Sequence, residues 1–156
     1  TTKTTNETQS LGASVSSESI PNGGQGPDIV TDTEFPLLFP AGKDKSSIEV
    51  ALVSPPNNAP VYAYLDTLKD IELRISQQAI PESFSGQEAT KLQEVAEDFQ
   101  ATDKLQIDDM TIYYGFTERF GGVQSLVFIK NGVMVFISSA QKLSDDTWAG
   151  YILGLQ

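Results

Sequence analysis

The sequence predicts an α+β domain, in which a mostly antiparallel sheet of about five to six strands carries two helices in the order β-β-β-α-β-β-β-α. Short runs of alternating apolar and polar residues are typical of half-buried strands, and several of these runs flank Asn, Asp or Gly turns. Two other segments repeat apolar residues at the spacing of a helix surface. Because hairpin signals outnumber helices, the pattern favours helices packed on an antiparallel sheet.

The composition of the chain changes near Phe35. Residues 1–34 contain twelve Ser or Thr, four Gly and only scattered apolar residues. Such a segment cannot bury enough apolar surface to offset its backbone entropy, so we expect a disordered Ser/Thr/Gly-rich tether. The apolar runs lie in residues 35–156, which are expected to form a single globular α+β domain.

The first half of the globular part predicts an apolar opening segment, a strand and a hairpin. Residues 35–40 read FPLLFP and should pack at the edge of the core. Residues 48–54 read as a strand, and residues 61–77 contain two alternating runs around a turn, as a hairpin does. The apolar positions of the second run share one face: Ile71, Leu73 and Ile75.

The first helix is predicted from a start signal and an apolar stripe. Ser85 followed by Glu88 matches a capping box, in which the two side chains bond to the free amides of the first turn. The stripe that follows at helical spacing consists of Ala89, Leu92, Val95, Ala96 and Phe99.

Two hairpins are predicted after this helix, with turns at residues 108–109 and 131–132. The second turn is Asn-Gly, the strongest hairpin signal in the chain, because a type I′ turn needs positive φ at both positions. A two-residue loop there pairs Phe128 with Val135 and Val127 with Phe136. Both faces of this hairpin are apolar, so we expect its strands to be central and covered on both sides.

The closing helix is predicted to begin after Ser144. Asp145 and Asp146 would lie in its first turn, where acidic residues favour the helix dipole. Leu143 and Trp148 are spaced for a hydrophobic staple across the helix start. The stripe for the sheet consists of Trp148, Tyr151, Ile152 and Leu155.

The chain contains no histidine and no cysteine, which excludes several kinds of chemistry. Histidine is the usual proton shuttle and the commonest metal ligand, and cysteine is the strongest nucleophile near neutral pH. Ser-His-Asp and Cys-His catalysis and ordinary zinc sites are therefore excluded, and we expect no catalytic, cofactor-binding or metal-binding residues. The net charge of −11, without any basic run, also excludes a nucleic-acid partner.

Three segments and the order of the predicted elements carry a resemblance. The segments are FPLLFP at 35–40, IELRISQQAIPESF at 71–84 and WAGYILGLQ at 148–156. In these features residues 35–156 resemble small bacterial extracytoplasmic domains of unknown function, and the layout is similar to the Mog1/PsbP-like α/β/α sandwich. The resemblance implies a non-catalytic binding or accessory domain whose partner is a protein or a cell-envelope component.

The start of the chain bears on its location. It begins at Thr1 rather than Met, and the tether-like residues resemble a stalk. We therefore expect an extracytoplasmic domain, held at the membrane only through an anchor upstream of Thr1; a secreted protein is the alternative.

Partner-binding residues are predicted in two places. The glycine-rich loop GFTERFGG presents Glu118, Arg119 and Phe120, and arginine and aromatic side chains are enriched at binding hot spots. Arg74 and Gln77, at the end of a predicted hairpin strand, are expected to line a polar groove.

A carboxylate-dependent hydrolase without metal is the alternative function. It requires two carboxyl groups within about 5–10 Å of each other in a cleft. The adjacent acids at residues 108–109 and 145–146 are instead expected to serve a turn and a helix start. Ser139 and Lys142 match the S-x-x-K signature of penicillin-recognising enzymes, but the SDN and KTG motifs are absent and Ser139 is predicted to end a strand.

Overall fold

A computed structural model describes residues 28–118 and 121–156, and these residues build one eight-stranded antiparallel sheet with two helices. The strands are β1 (Asp28–Val30), β2 (Val50–Leu52), β3 (Val61–Leu68), β4 (Ile71–Ala79), β5 (Asp103–Ile107), β6 (Met110–Thr117), β7 (Val123–Lys130) and β8 (Val133–Ser139). The helices are α1 (Glu88–Asp98) and α2 (Asp145–Leu153). Across the sheet the strands follow the order β1-β2-β3-β4-β8-β7-β6-β5.

The predicted α+β class is confirmed, but the predicted sheet of about five to six strands is too small. Four strands precede α1 and four follow it, so the order β-β-β-α-β-β-β-α has one strand too few on each side of α1. The four strands after α1 form the two predicted hairpins. The added strand before α1 is β1, whose three residues pair with β2 and are too few to show an alternating pattern. They fall within the predicted tether of residues 1–34; residues 1–27 lie outside the described residues.

Alternation along the strands gives the sheet two faces that pack on different helices. The first face packs on α2 through a core that includes Tyr64, Ile75, Phe128, Ile137, Trp148 and Ile152. The second face packs on α1 through a smaller core that includes Leu92, Ala96, Tyr113, Val127 and Met134. Both helices contribute fully buried side chains, so each is held to the sheet by removal of apolar surface from water.

The Asn-Gly hairpin lies in the centre of the sheet, as predicted. Asn131 and Gly132 have φ angles of 52° and 79°, which are the positive values that a type I′ turn requires. The predicted register is confirmed: Phe128 pairs with Val135, and Val127 pairs with Phe136. Three of these side chains are at most 1% exposed, whereas Phe136 is half-buried.

The start of α1 differs from the predicted capping box. The N-cap residue is Gln87, no side chain bonds to the first-turn amides, and the helix begins at Glu88. Ser85 instead ends a short 3₁₀ turn, and Gly86 then redirects the chain with a φ of +75°. A capping box from Ser85 to Glu88 would need residue 86 to be helical, but Gly86 adopts this left-handed conformation, which glycine tolerates.

Residues 35–40, here called the crossing segment, run across the first face. The Gln77 side chain fixes them: its Oε1 accepts from the Leu38 amide at 2.8 Å, and its Nε2 donates to the Leu38 carbonyl at 2.7 Å. Backbone bonds of 2.8 and 2.9 Å between Phe39 and Gln156 join the crossing segment to the C-terminal residues. The crossing segment, α2 and the C-terminal residues therefore form one layer over the first face.

Hydrogen bonds from polar side chains hold both ends of α2, and two of these side chains belong to the sheet. Ser144 is the N-cap, as predicted, and accepts from the Thr147 amide at 3.2 Å. Gln124 Oε1 accepts from the Trp148 indole at 2.9 Å, close to the helix start. At the other end, Lys130 Nζ donates to the carbonyl oxygens of Ile152, Leu153 and Leu155.

Asp66 of β3 links Lys43, which follows the crossing segment, to α2. Its carboxylate accepts a hydrogen bond from the Tyr151 hydroxyl at 2.7 Å and forms an ion pair with Lys43. Burial alone would raise the pKa of Asp66, but the bonds from Lys43, Tyr151 and the Thr67 backbone together lower it below its usual value of 3.8. Burial, followed by the neighbouring Asp66 carboxylate, raises the pKa of Tyr151, so its hydroxyl remains a donor.

Replacing Asp66 should make the stability less dependent on acid pH. Because the folded-state pKa is lowered, the carboxylate contributes its full stabilisation above the unfolded-state pKa and loses it as the pH falls through the folded-state pKa. We expect Asp66→Asn to lower the free energy of unfolding by about 1–2 kcal/mol at pH 7 and by much less near pH 3. Urea unfolding at both pH values measures this. Asp70→Asn, in the exposed β3–β4 turn, is the control, and an Asp66→Asn loss that is equal at both pH values would contradict the prediction.

Candidate functional site

Part of the second face is not covered by α1. The helix packs on β6 and β7, while side chains of β3, β4 and β8 on the same face remain accessible. We call this surface the open face and define it by Leu65, Arg74, Ser76, Phe136 and Ser138. The register places these residues in two adjacent rows, one formed by Leu65, Arg74 and Ser138 and the other by Ser76 and Phe136.

Large apolar side chains lie exposed on the open face and at its borders. Leu65 is 59% exposed, as is Ile29 on the outer strand β1, and Phe99 at the end of α1 is 53% exposed. The Phe99 ring lies 5.3 Å from the Phe136 ring. From β1 to β8 the surface spans about 19 Å, given strand spacings of about 4.8 Å. Exposed apolar side chains gathered in this way are typical of an interaction site.

Arg74 is the cation of the open face. Its side chain is exposed, and the ion pairs within the described residues join Lys43 to Asp66 and Lys91 to Glu94. The guanidinium is therefore not held by a carboxylate of the described chain. An unpaired arginine beside exposed apolar groups has the composition of a binding hot spot.

The predicted groove of Arg74 and Gln77 is not formed, because the two side chains lie on opposite faces of β4. Gln77 is 0% exposed and bonds to Leu38 on the first face, so it is not available to a partner. The sequence contained the signal for this placement. The same alternation that places Ile75 inside also places Gln77 there.

Glu118 is exposed directly after β6, whereas Arg119 and Phe120 lie outside the described residues. Thr117 pairs with Val123 across the loop, and the row of Arg74 ends at Gly115 on β6. Thr117 and Val123, which flank the loop, therefore lie two residues beyond the row of Arg74, and β6 is three strand spacings, or about 14 Å, from β4.

A cavity lies at the other end of the sheet, beside the β5–β6 and β7–β8 turns. Its volume is about 570 Å³, and it is bounded by the start of α1 and the end of α2. Its apolar lining consists of Ala89, Leu92, Met110, Tyr113, Ile129 and Leu153. The carboxyl-bearing residues are Glu88, Asp108 and Asp109, and all three are exposed.

Two polar side chains near the start of α2, Ser139 and Gln124, are buried. Ser139 ends β8, as predicted, and its hydroxyl donates to the Gln141 carbonyl at 2.6 Å, which orients it toward the backbone rather than toward a substrate. Gln124 is 1% exposed, and its Nε2 has no hydrogen-bond partner among the described residues. Its Oε1 accepts two N–H groups, from Leu143 and Trp148, so the side chain stabilises the start of α2.

No protein-family model, curated protein or solved structure matches the chain. The resemblance to small extracytoplasmic domains and to the Mog1/PsbP-like layout therefore stays a prediction. Within residues 28–118 and 121–156, neither helix is long and apolar enough to cross a membrane.

Proposed function

We propose that the chain is a non-catalytic binding or accessory domain of an extracytoplasmic, membrane-anchored protein, and that it binds a protein partner through the open face. The observation that carries the proposal is the exposure of Leu65, Ile29 and Phe99 around a part of the second face that α1 leaves accessible. Among the described residues the first face offers no comparable surface, because α2 and the crossing segment lie over it.

The chemistry of the open face indicates the kind of partner. Leu65 and Phe99 favour an apolar segment, since their burial would remove large apolar surfaces from water. Arg74 favours a carboxylate on that segment, and a bidentate pair would fix its orientation. Ser76 and Ser138 are small, so a partner chain can approach the sheet between the larger side chains. The partner is therefore an apolar protein segment that carries an acidic residue.

Site-specific photocrosslinking tests the position of the partner. The chain has no cysteine, so a single introduced cysteine can be labelled uniquely with benzophenone maleimide. The labelled Ser76→Cys variant, incubated with solubilised envelope proteins of the source cells, should form a discrete protein adduct. The same label on Gly150→Cys, an exposed position of α2 with open space around it, should form none. Adducts of equal yield from both positions, or from position 150 alone, would overturn the proposal.

A matched pair of variants tests the named side chains. Leu65→Gln combined with Arg74→Glu should lower the adduct yield from position 76 by about tenfold, because an apolar contact and an ion pair are both lost. Leu153→Gln combined with Lys142→Glu makes the same changes at exposed positions elsewhere and should have no effect. Arg119→Ala with Phe120→Ala tests the loop in the same assay and should weaken the adduct with the melting temperature nearly unchanged.

A carboxylate-dependent hydrolase remains the second candidate, favoured by the three acids around the cavity. Two of them would have to act as acid and base on a substrate bound there. This reading predicts turnover that is lost in Glu88→Gln, Asp108→Asn and Asp109→Asn variants and kept when the open face is changed. Turnover of an ester, amide or glycoside panel by the wild-type chain, with this dependence, would replace the binding proposal.

A further inference from the structure

The cavity at the turn end of the sheet has the size and lining of a site for an organic ligand. Its volume of about 570 Å³ lies within the range of small-molecule and side-chain pockets. It is formed by the start of α1, the β5–β6 turn with β6, the β7–β8 turn with the end of β7, and the end of α2. It lies away from the open face, so an occupant would not compete with the partner proposed above.

The apolar lining indicates that the occupant has a hydrocarbon part. Met110, Ile129 and Leu153 come from β6, β7 and α2, and they line the cavity together with Ala89 and Leu92 of α1. Leu153 is 51% exposed, so apolar surface remains to be covered there. An alkyl chain laid on these side chains would gain the usual hydrophobic contribution from the area it buries.

The negative charges around the cavity favour a cationic ligand. Glu88, Asp108 and Asp109 form no ion pair within residues 28–118 and 121–156. The one lysine of the lining, Lys130, donates to three carbonyl oxygens at the end of α2 and is thereby turned toward the helix. The site therefore has an uncompensated negative charge beside an apolar lining.

The arrangement of the acids favours an organic cation over a metal ion. A metal site needs several ligands that converge on one point, and the described residues contain no group of three acidic side chains arranged in that way. The acids instead lie in the same lining as the apolar side chains, so charge and hydrocarbon contacts are available together. An alkylammonium group matches both, with its stem on the lining and its charge among the carboxylates.

We propose that this cavity binds the side chain of a lysine presented by a partner protein. Free alkylamines share the same chemistry, and the experiment separates them from a peptide. The full chain, labelled with ¹⁵N, is titrated with the tripeptide acetyl-Gly-Lys-Gly-amide, with its Nε-acetylated form and with pentylamine hydrochloride. The lysine peptide should shift the amide signals of Ala89, Thr111 and Asn131 with millimolar affinity, and leave those of Ala63 and Ser76 unchanged.

Variants of the three acids provide the charge control. Glu88→Gln with Asp108→Asn and Asp109→Asn should bind the lysine peptide about tenfold more weakly, since three exposed charge interactions are lost. Asp32→Asn with Glu34→Gln and Glu49→Gln removes the same charge at exposed positions outside the cavity lining and should change affinity less than twofold. Higher salt should weaken binding to the wild type and not to the cavity variant.

The peptide titrations test the cavity proposal independently of the proposed function of the open face. Equal binding of the acetylated peptide, or unchanged affinity in the cavity variant, would overturn the assignment of a cation site. Binding of pentylamine without binding of the peptide would overturn the assignment to a protein side chain. Neither result affects the crosslink at position 76. Failure of the labelled Ser76→Cys variant to form an adduct would overturn only the proposed function of the open face.

Discussion

Replacing Phe128 by alanine should lower the free energy of unfolding by about 3–5 kcal/mol, as for other fully buried phenylalanines. Phe128 is 0% exposed and packs within the core between the sheet and α2. The matched change, Phe136→Ala, removes the same atoms from the adjacent strand β8 but on the half-buried second face. We expect it to cost about 1–2 kcal/mol. Urea unfolding of both variants at pH 7 measures the difference.

This difference tests whether the open face is accessible in solution. The sequence alone predicts equal losses of about 3–5 kcal/mol for the two phenylalanines, because both faces of the hairpin are apolar. The structure changes the expectation for Phe136, whose half-buried ring packs at the border of the second core and also contacts the exposed Phe99. If both variants lose the same free energy, another part of the protein covers Phe136, and the binding surface proposed for the open face must be abandoned.

Replacing Gln77 by leucine should lower the free energy of unfolding by about 2–3 kcal/mol. The substitution introduces an apolar side chain of similar size and leaves the buried Leu38 amide without its acceptor, and an unsatisfied buried donor costs about this much. The Leu38 carbonyl would still accept from the Tyr64 hydroxyl at 2.7 Å, which limits the loss. Thermal and urea unfolding of the full chain give the change.

The neighbouring Gln78→Leu variant is the control for this loss. Gln78 lies on the opposite face of β4 and is half-buried, so the same substitution should change the free energy of unfolding by less than about 0.5 kcal/mol. Equal losses in the two variants would mean that Gln77 does not fix the crossing segment. A loss confined to Gln77→Leu would show that one amide side chain orders residues 35–40.

The hairpins could be predicted because their signals are local. A two-residue turn with Asn131 and Gly132 determines the register of β7 and β8, and apolar side chains on both faces of that hairpin place it at the centre. The N-cap at Ser144 is equally local, since it needs only its own hydroxyl and the Thr147 amide. These features depend on residues a few positions apart, so the sequence contains all the information they require.

The remaining features depend on partners far along the chain. β1 exists because its three residues pair with β2, and nothing in their own composition distinguishes them from a linker. The pairing of Gln77 with Leu38 joins residues distant in sequence. The open face likewise results from where α1 docks, and an exposed Leu65 reads in the sequence as an ordinary strand residue. Tertiary contacts, rather than local propensity, decide these positions.

The attachment of the crossing segment to the C-terminal residues has a mechanical consequence. A pulling force that enters the domain from its N-terminal side first reaches β1, whose few bonds to β2 can open one after another. The load then passes to residues 35–40, where the bonds of Leu38 to Gln77 and of Phe39 to Gln156 must break together. Under tension the domain should therefore yield slightly at its edge, where Ile29 lies, and then resist at this second point. Its core and the five residues that define the open face should stay in place while the chain is stretched.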